Sequence, residues 1–137
     1  MLCQPCKDRY GVERYGIHVE IDTPLFLLTG HLDRRLTLNN RKLPVEIKSL
    51  GKYTWGKFAK SQFDEFPSYV SQEVCYLEAE QSPGIYWVMN RDNGQPLKYI
   101  VNDFNHEIKL DEFERIKLSV TFDQIVDKLN QVEVFVQ

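Results

Sequence analysis

Asp33, Glu46 and Lys48 are the residues of this chain whose types and spacing could do chemistry. Glu46 and Lys48 stand two apart near the end of an apolar stretch, residues 43–48, that reads as a strand. Side chains two apart on a strand leave on the same face; Ile47, between them, is expected to point to the other face, into apolar packing. Asp33 ends the preceding apolar run, residues 25–33, and Asn39-Asn40 is a hairpin turn signal between the two. A hairpin does not by itself bring the distal ends of its strands together. If Asp33 and Glu46 converge, they offer hard oxygen ligands to Mg²⁺ or Mn²⁺. Lys48 beside them is then placed to hold an attacking water or a phosphate oxygen. Two carboxylates and a lysine describe a phosphodiester-hydrolase site. The competing reading is a solvated strand face carrying Glu46 and Lys48, with Asp33 in a turn.

Charge supports an anionic partner. The 137-residue chain carries a net charge of −3, yet residues 34–60 hold eight basic residues and one acid, Glu46. That segment is +7 and the remainder is −10. A basic segment inside an acidic protein suggests one face built for an anion. Lys52, Lys57 and Lys60 alternate there with Tyr53, Trp55 and Phe58, and Phe63 and Phe66 follow. In a nucleic-acid channel lysines hold phosphates and rings stack on bases; the alternative is that Trp55 and Phe58 pin a loop to the core.

The elements that must position these residues read as one α/β domain over residues 1–137, with a mixed sheet in the order β-β-β-α-β-β-α. Residues 17–22 alternate at strand period. Residues 25–33 form a buried strand that 34–38 extend, and 43–48 form the third strand. Residues 49–67 read as a loop with at most a helical turn. A helix opens at Pro67-Ser68, with Ser68 as N-cap and Val70, Val74 and Leu77 as its core stripe. Residues 85–89 and 97–101 are strands joined through Asp92-Asn93-Gly94. Residues 110–129 read as a helix on Phe113, Ile116, Val120 and Ile125 or Leu129, and 132–136 as an edge strand. No apolar run approaches a membrane span, so no membrane partner is expected. The polar first eleven residues and unpaired thiols point to a cytoplasmic, reduced setting.

The pattern Asp33, a twelve-residue gap, then Glu46-Ile47-Lys48-Ser49 resembles the PD-(D/E)XK nuclease superfamily. Thr29-Gly30-His31-Leu32-Asp33 is similar to the second motif of its RecB-like and lambda-exonuclease-like branches. Gln72-Glu73-Val74-Cys75-Tyr76 resembles the Gln-x-x-x-Tyr element those branches carry on the following helix, where residues four apart share a face. The resemblance runs from Ile17 to about Val101.

The resemblance implies a restriction-endonuclease-like sheet flanked by helices and a Mg²⁺- or Mn²⁺-dependent deoxyribonuclease. Asp33, Glu46 and the Ile47 carbonyl would hold the metal, with Lys48 completing the catalytic set. Gln72 and Tyr76 would position DNA, and Lys52, Lys57 and Lys60 would hold its phosphates. The setting would be recombination, repair or phage and mobile-element DNA processing, beside other recombination or replication proteins. The family also carries an upstream acid or His on an N-terminal helix. Glu13 and Glu20 are candidates for the acid; His18 and His31 are further possibilities. An alternative is a nucleic-acid-binding module on the same fold that does not cleave. Cys3-x-x-Cys6 is half of a zinc site, without a second cysteine pair to complete it; Cys75 sits mid-helix.

Overall fold

The computed structural model describes residues 17–24 and 26–136. Strands β1 (Ile17–Asp22) and β2 (Leu27–Leu32) form an antiparallel hairpin of their own, with Ile17 opposite Leu32. Thr23 closes its turn: the Thr23 N–H donates to the Phe26 carbonyl, and the Thr23 hydroxyl accepts from the Phe26 N–H. The alternation in β1 puts Ile17, Val19 and Ile21 on the covered side and His18, Glu20 and Asp22 on the exposed side.

Strands β3 (Arg34–Leu38) and β4 (Arg41–Leu50) make the second hairpin. Asn39 and Asn40 both have positive φ, 52° and 65°, as the two-residue turn that matches strand twist requires. Helix α1 (Lys52–Ser61), a 3₁₀ turn (Gln62–Glu65) and helix α2 (Pro67–Glu80) follow. Strands β5 (Gly84–Asn90), β6 (Pro96–Val101) and β7 (Glu114–Ile116) then lead to helix α3 (Phe122–Val136). The sheet order is β3-β4-β5-β6-β7. β4 and β5 are parallel, as are β6 and β7, whereas β3–β4 and β5–β6 are antiparallel. The protein is therefore α/β, with a five-stranded mixed sheet flanked by helices. No helix among the described residues is long and apolar enough to cross a membrane.

The main core lies between the helices and one face of this sheet. Phe58 of α1, Phe63 of the 3₁₀ turn, and Val70, Val74 and Leu77 of α2 meet Leu50, Tyr86, Val88, Tyr99 and Val101 of the strands; Phe122 and Ile125 of α3 pack at the margin. On the opposite face Leu43, Ile85 and Ile100 are covered by Ile108, with Leu110 and Phe113 beside them.

Several sequence expectations change, beginning with the order β-β-β-α-β-β-α in one mixed sheet: the first hairpin stands apart from the five-stranded sheet, and β3, α1 and β7 are additional elements. The segment 49–67 is not a loop: it holds α1, whose core residue Phe58 is fully buried. Residues 25–38 are not one continuous buried strand: β2 and β3 are separated at Asp33, and alternate side chains of β2 are exposed. Ser68 does not cap α2; Pro67 takes the first helical turn, where its missing N–H costs no helical bond, and no side chain caps the end. Residues 110–121 are not helical, and 132–136 belong to α3 rather than to an edge strand. The helical spacing of Phe113, Ile116 and Val120 misleads because those side chains part. Phe113 packs in the cluster on one face of the sheet, Ile116 and Val120 in the cluster on the other. The true start was legible in Thr121-x-x-Gln124. The Thr121 N–H donates to Gln124 Oε1, and the Gln124 N–H to Thr121 Oγ1, a reciprocal cap.

Candidate active site

Asp33 sits at the point where the chain leaves β4. β3 pairs with β4 up to Arg34 opposite Val45; beyond it the chain turns away into the β1–β2 hairpin, and the Ile47 N–H loses its strand partner. Asp33 Oδ2 replaces that partner, accepting from the Ile47 N–H at 2.8 Å. This bond draws the Asp33 carboxylate onto the edge of β4. In an extended ladder a residue's N–H and C=O leave on the same side, so the Ile47 carbonyl faces the Asp33 side as well. The convergence that hairpin topology alone leaves open is thus made by one side-chain-to-backbone bond.

Glu46 is buried, 6% exposed, on the α2 face of β4, with Oε2 lacking a protein partner. Burial first, and then the hydrogen-bonded Asp33 carboxyl, push its acid up to about 9. Lys48 follows on the same face. Its Nζ donates to Gln72 Oε1 at 2.8 Å and lies 4.6 Å from the centre of the Tyr69 ring. An ammonium has three donors, so this fixes its direction and leaves others for a ligand. The Ile47 side chain does leave on the opposite face, but it is 40% exposed rather than packed into apolar surroundings.

Helix α2 brings in Gln72 and Tyr76 together. Gln72 Nε2 donates to Tyr76 Oη at 3.4 Å, so one amide joins the lysine to the tyrosine. Burial, and next the Glu46 carboxylate, raise the Tyr76 phenol. Its ring lies against Gly30, where a β-carbon would stand 2.9 Å from Tyr76 Cε1. Glycine is therefore needed at position 30 for close approach. Gly30→Ala is expected to cost about 1–3 kcal/mol by overpacking, read as a lower midpoint in urea unfolding.

Sequence reasoning missed Glu73. It is 1% exposed, burial pushes its acid up to about 8, and its charge acts on Lys48, Asp33 and Glu46. The signal was present: Glu73 falls within the α2 stripe of Val70, Val74 and Leu77, where an acid has no place in an ordinary core. Glu46 and Glu73 give a stability prediction without added cation. In the unfolded chain both ionise near the ordinary 4.5; folded, both hold their protons to higher pH. Unfolding stability should fall as pH rises from about 5 towards 9, and Glu46→Gln should flatten that slope in chelator-treated thermal melts.

The remaining expectations sort by position. Lys52, Lys57 and Lys60 are exposed on α1, which starts two residues after β4 and carries no acid. Of the five aromatics interleaved or following, Tyr53 is displayed, at 84% exposure, whereas Phe58 and Phe63 are buried and Trp55 donates its indole N–H to the Val88 carbonyl. Two of the basic residues are engaged elsewhere, Arg35 with Glu80 and Arg41 with Glu107. Glu20 lies on the exposed side of β1, bonded to His18 at 2.7 Å, so it is not brought to Asp33 and Glu46. His18 and His31 meet edge to face on that hairpin. Cys75 is half-buried on α2. Glu13, Cys3 and Cys6 lie outside the described residues.

A cation fits what is present. Glu46 offers a buried carboxylate oxygen without a protein partner, Asp33 an adjacent carboxylate, and Ile47 a carbonyl; such oxygen donors suit Mg²⁺ or Mn²⁺. Among the described residues no three His, Cys, Asp or Glu side chains stand around a common metal position. Comparison with protein-family models, with curated proteins and with solved structures found no match.

Proposed function

We propose that the chain is a metal-dependent DNA nuclease with a restriction-endonuclease-like core, similar to the RecB-like and lambda-exonuclease-like branches of the PD-(D/E)XK superfamily. One observation carries this reading. Asp33 is bonded to the backbone of the strand that presents Glu46 and Lys48, and Lys48 is in turn bonded to Gln72 of α2. Three separated sequence elements meet at one place, with two acids, one cation and one carbonyl.

In this reading Asp33, Glu46 and the Ile47 carbonyl hold Mg²⁺ or Mn²⁺. The bound cation supplies a water of lowered pKa and polarises a phosphoryl oxygen. Lys48, aimed by Gln72 and Tyr69, orients the attacking water and offsets the negative charge that grows on the phosphorane. Gln72 and Tyr76 set the position of the DNA backbone. Lys52, Lys57 and Lys60 hold flanking phosphates, with Tyr53 available for stacking.

The test is a labelled single-stranded, blunt or nicked DNA incubated with Mg²⁺, Mn²⁺, Ca²⁺ or chelator. Cleavage is expected with the first two, and little with Ca²⁺, whose looser geometry activates water poorly. Robust cleavage in excess chelator would end the reading; DNA binding without cleavage under any of these metals would favour the non-cleaving module instead.

The cationic face carries its own prediction. Reversing Lys52, Lys57 and Lys60 to Glu should weaken DNA binding and flatten its dependence on salt, since three phosphate contacts are removed. The three side chains are exposed, so the melting temperature should hold. Fluorescence anisotropy across a salt series reads the change; unchanged affinity would make α1 an ordinary solvated helix.

A further inference from the structure

Three buried oxygens have no protein partner, Glu46 Oε2, Glu73 Oε2 and Tyr86 Oη, and both carboxyls act electrostatically on the Tyr86 phenol. Glu46 and Tyr86 face each other across the parallel β4–β5 pair, and Glu73 comes down on them from α2. The Glu73 carboxylate lies over Gly84 at the start of β5, where a β-carbon would stand 3.3 Å from Oε1. On either side of Glu73 along the helix, Gln72 holds Lys48 and Tyr76 lies against Gly30. A buried polar oxygen left without a hydrogen bond is costly, and three such atoms on neighbouring side chains, two carboxyl and one phenol, call for a shared partner. Interior water satisfies two to four polar groups at once. These three oxygens supply that number, and one of them belongs to Glu46, a proposed metal ligand.

We propose that Glu73 is a third acid of the cation site, positioning a cation-bound water through Oε2 rather than binding the cation directly. The inference rests on the nuclease reading above. The indirect role follows from the geometry, since Glu73 does not join Asp33 and Glu46 around a common metal position. It also follows from position: Glu73 is less exposed than Glu46, and its carboxyl lies over Gly84 of β5, whereas Asp33 bonds the edge of β4 away from β5. Glu73 adds negative charge to a cation held by two carboxylates, and it fixes the orientation of the water shell that Lys48 faces. Tyr86 completes the water's partners from the sheet.

The test is calorimetric titration of the chelator-treated full chain with Mn²⁺ alone. Glu73→Gln keeps shape and removes charge. Affinity is expected to fall about 10-fold or more, the scale for loss of an outer-sphere partner, while the metal-free melting temperature holds or rises. Wild-type affinity in Glu73→Gln would overturn the inference and leave the nuclease reading standing. Failure of the wild type itself to bind Mn²⁺ would overturn both. A measurement on the unaltered protein removes dependence on the variant's folding. Saturating Mg²⁺ is expected to move the carboxyl ¹³C resonances of Glu73 and Glu46 together, and an unmoved Glu73 resonance would overturn the inference.

Discussion

Lys48→Ala is expected to lower DNA cleavage by about 10²-fold or more while divalent-cation binding is kept, the scale of losing one transition-state electrostatic contact. The substitution leaves Asp33, Glu46 and the Ile47 carbonyl in place, so a cation retains its oxygen donors. Removing a neighbouring positive charge should, if anything, tighten cation binding. Asp33→Asn is the complementary change. It keeps shape and takes one charge from the proposed cation site, and both cation binding and cleavage should be lost. Calorimetry and turnover on the same preparations separate the two roles. A Lys48→Ala protein that cleaves like the wild type would reduce Lys48 to a strand lysine held by Gln72.

The largest stability effect is expected at Phe58, far from any acid. Its ring is fully buried and touches the rings of Phe63, Phe66, Tyr69, Tyr86 and Tyr99. Phe58 therefore joins α1, the 3₁₀ turn and α2 to the sheet. Truncating a buried phenylalanine costs about 3–5 kcal/mol, a large part of the roughly 5–15 kcal/mol by which a domain is stable. Phe58→Ala should show it as a markedly lower urea midpoint. The loss should reach cleavage as well, because Tyr69, one of those rings, lies beneath the Lys48 ammonium.

Glu46 and Lys48 could be read from sequence because strand periodicity puts alternate residues on one face; Gln72 and Tyr76 were picked out by the resemblance to a Gln-x-x-x-Tyr element, and helical periodicity then put them on one face. Both are local rules. The Asn39-Asn40 turn was legible for the same reason. The meeting of Asp33 with β4 was not, since it depends on one hydrogen bond to a backbone N–H freed by a departing strand. α1 was hidden by Gly51 and Gly56 and by an aromatic-rich composition that suits loops as well as helices; burial of Phe58 decides it. The region before α3 failed because residues spaced like one helical stripe pack on two faces of a sheet, which a single-element pattern does not express. Glu73 escaped because its value lies in burial, and the family pattern around it drew attention to its neighbours.

The role of Asp33 in metal-dependent cleavage is tested most directly with end-labelled DNA and chelator-treated wild type and Asp33→Asn protein, side by side, on addition of Mg²⁺. Cleavage by the wild type is expected to begin only with the metal, and Asp33→Asn is expected to show none at the same protein concentration. Equal cleavage by the two proteins, or cleavage that precedes the metal, would contradict that role.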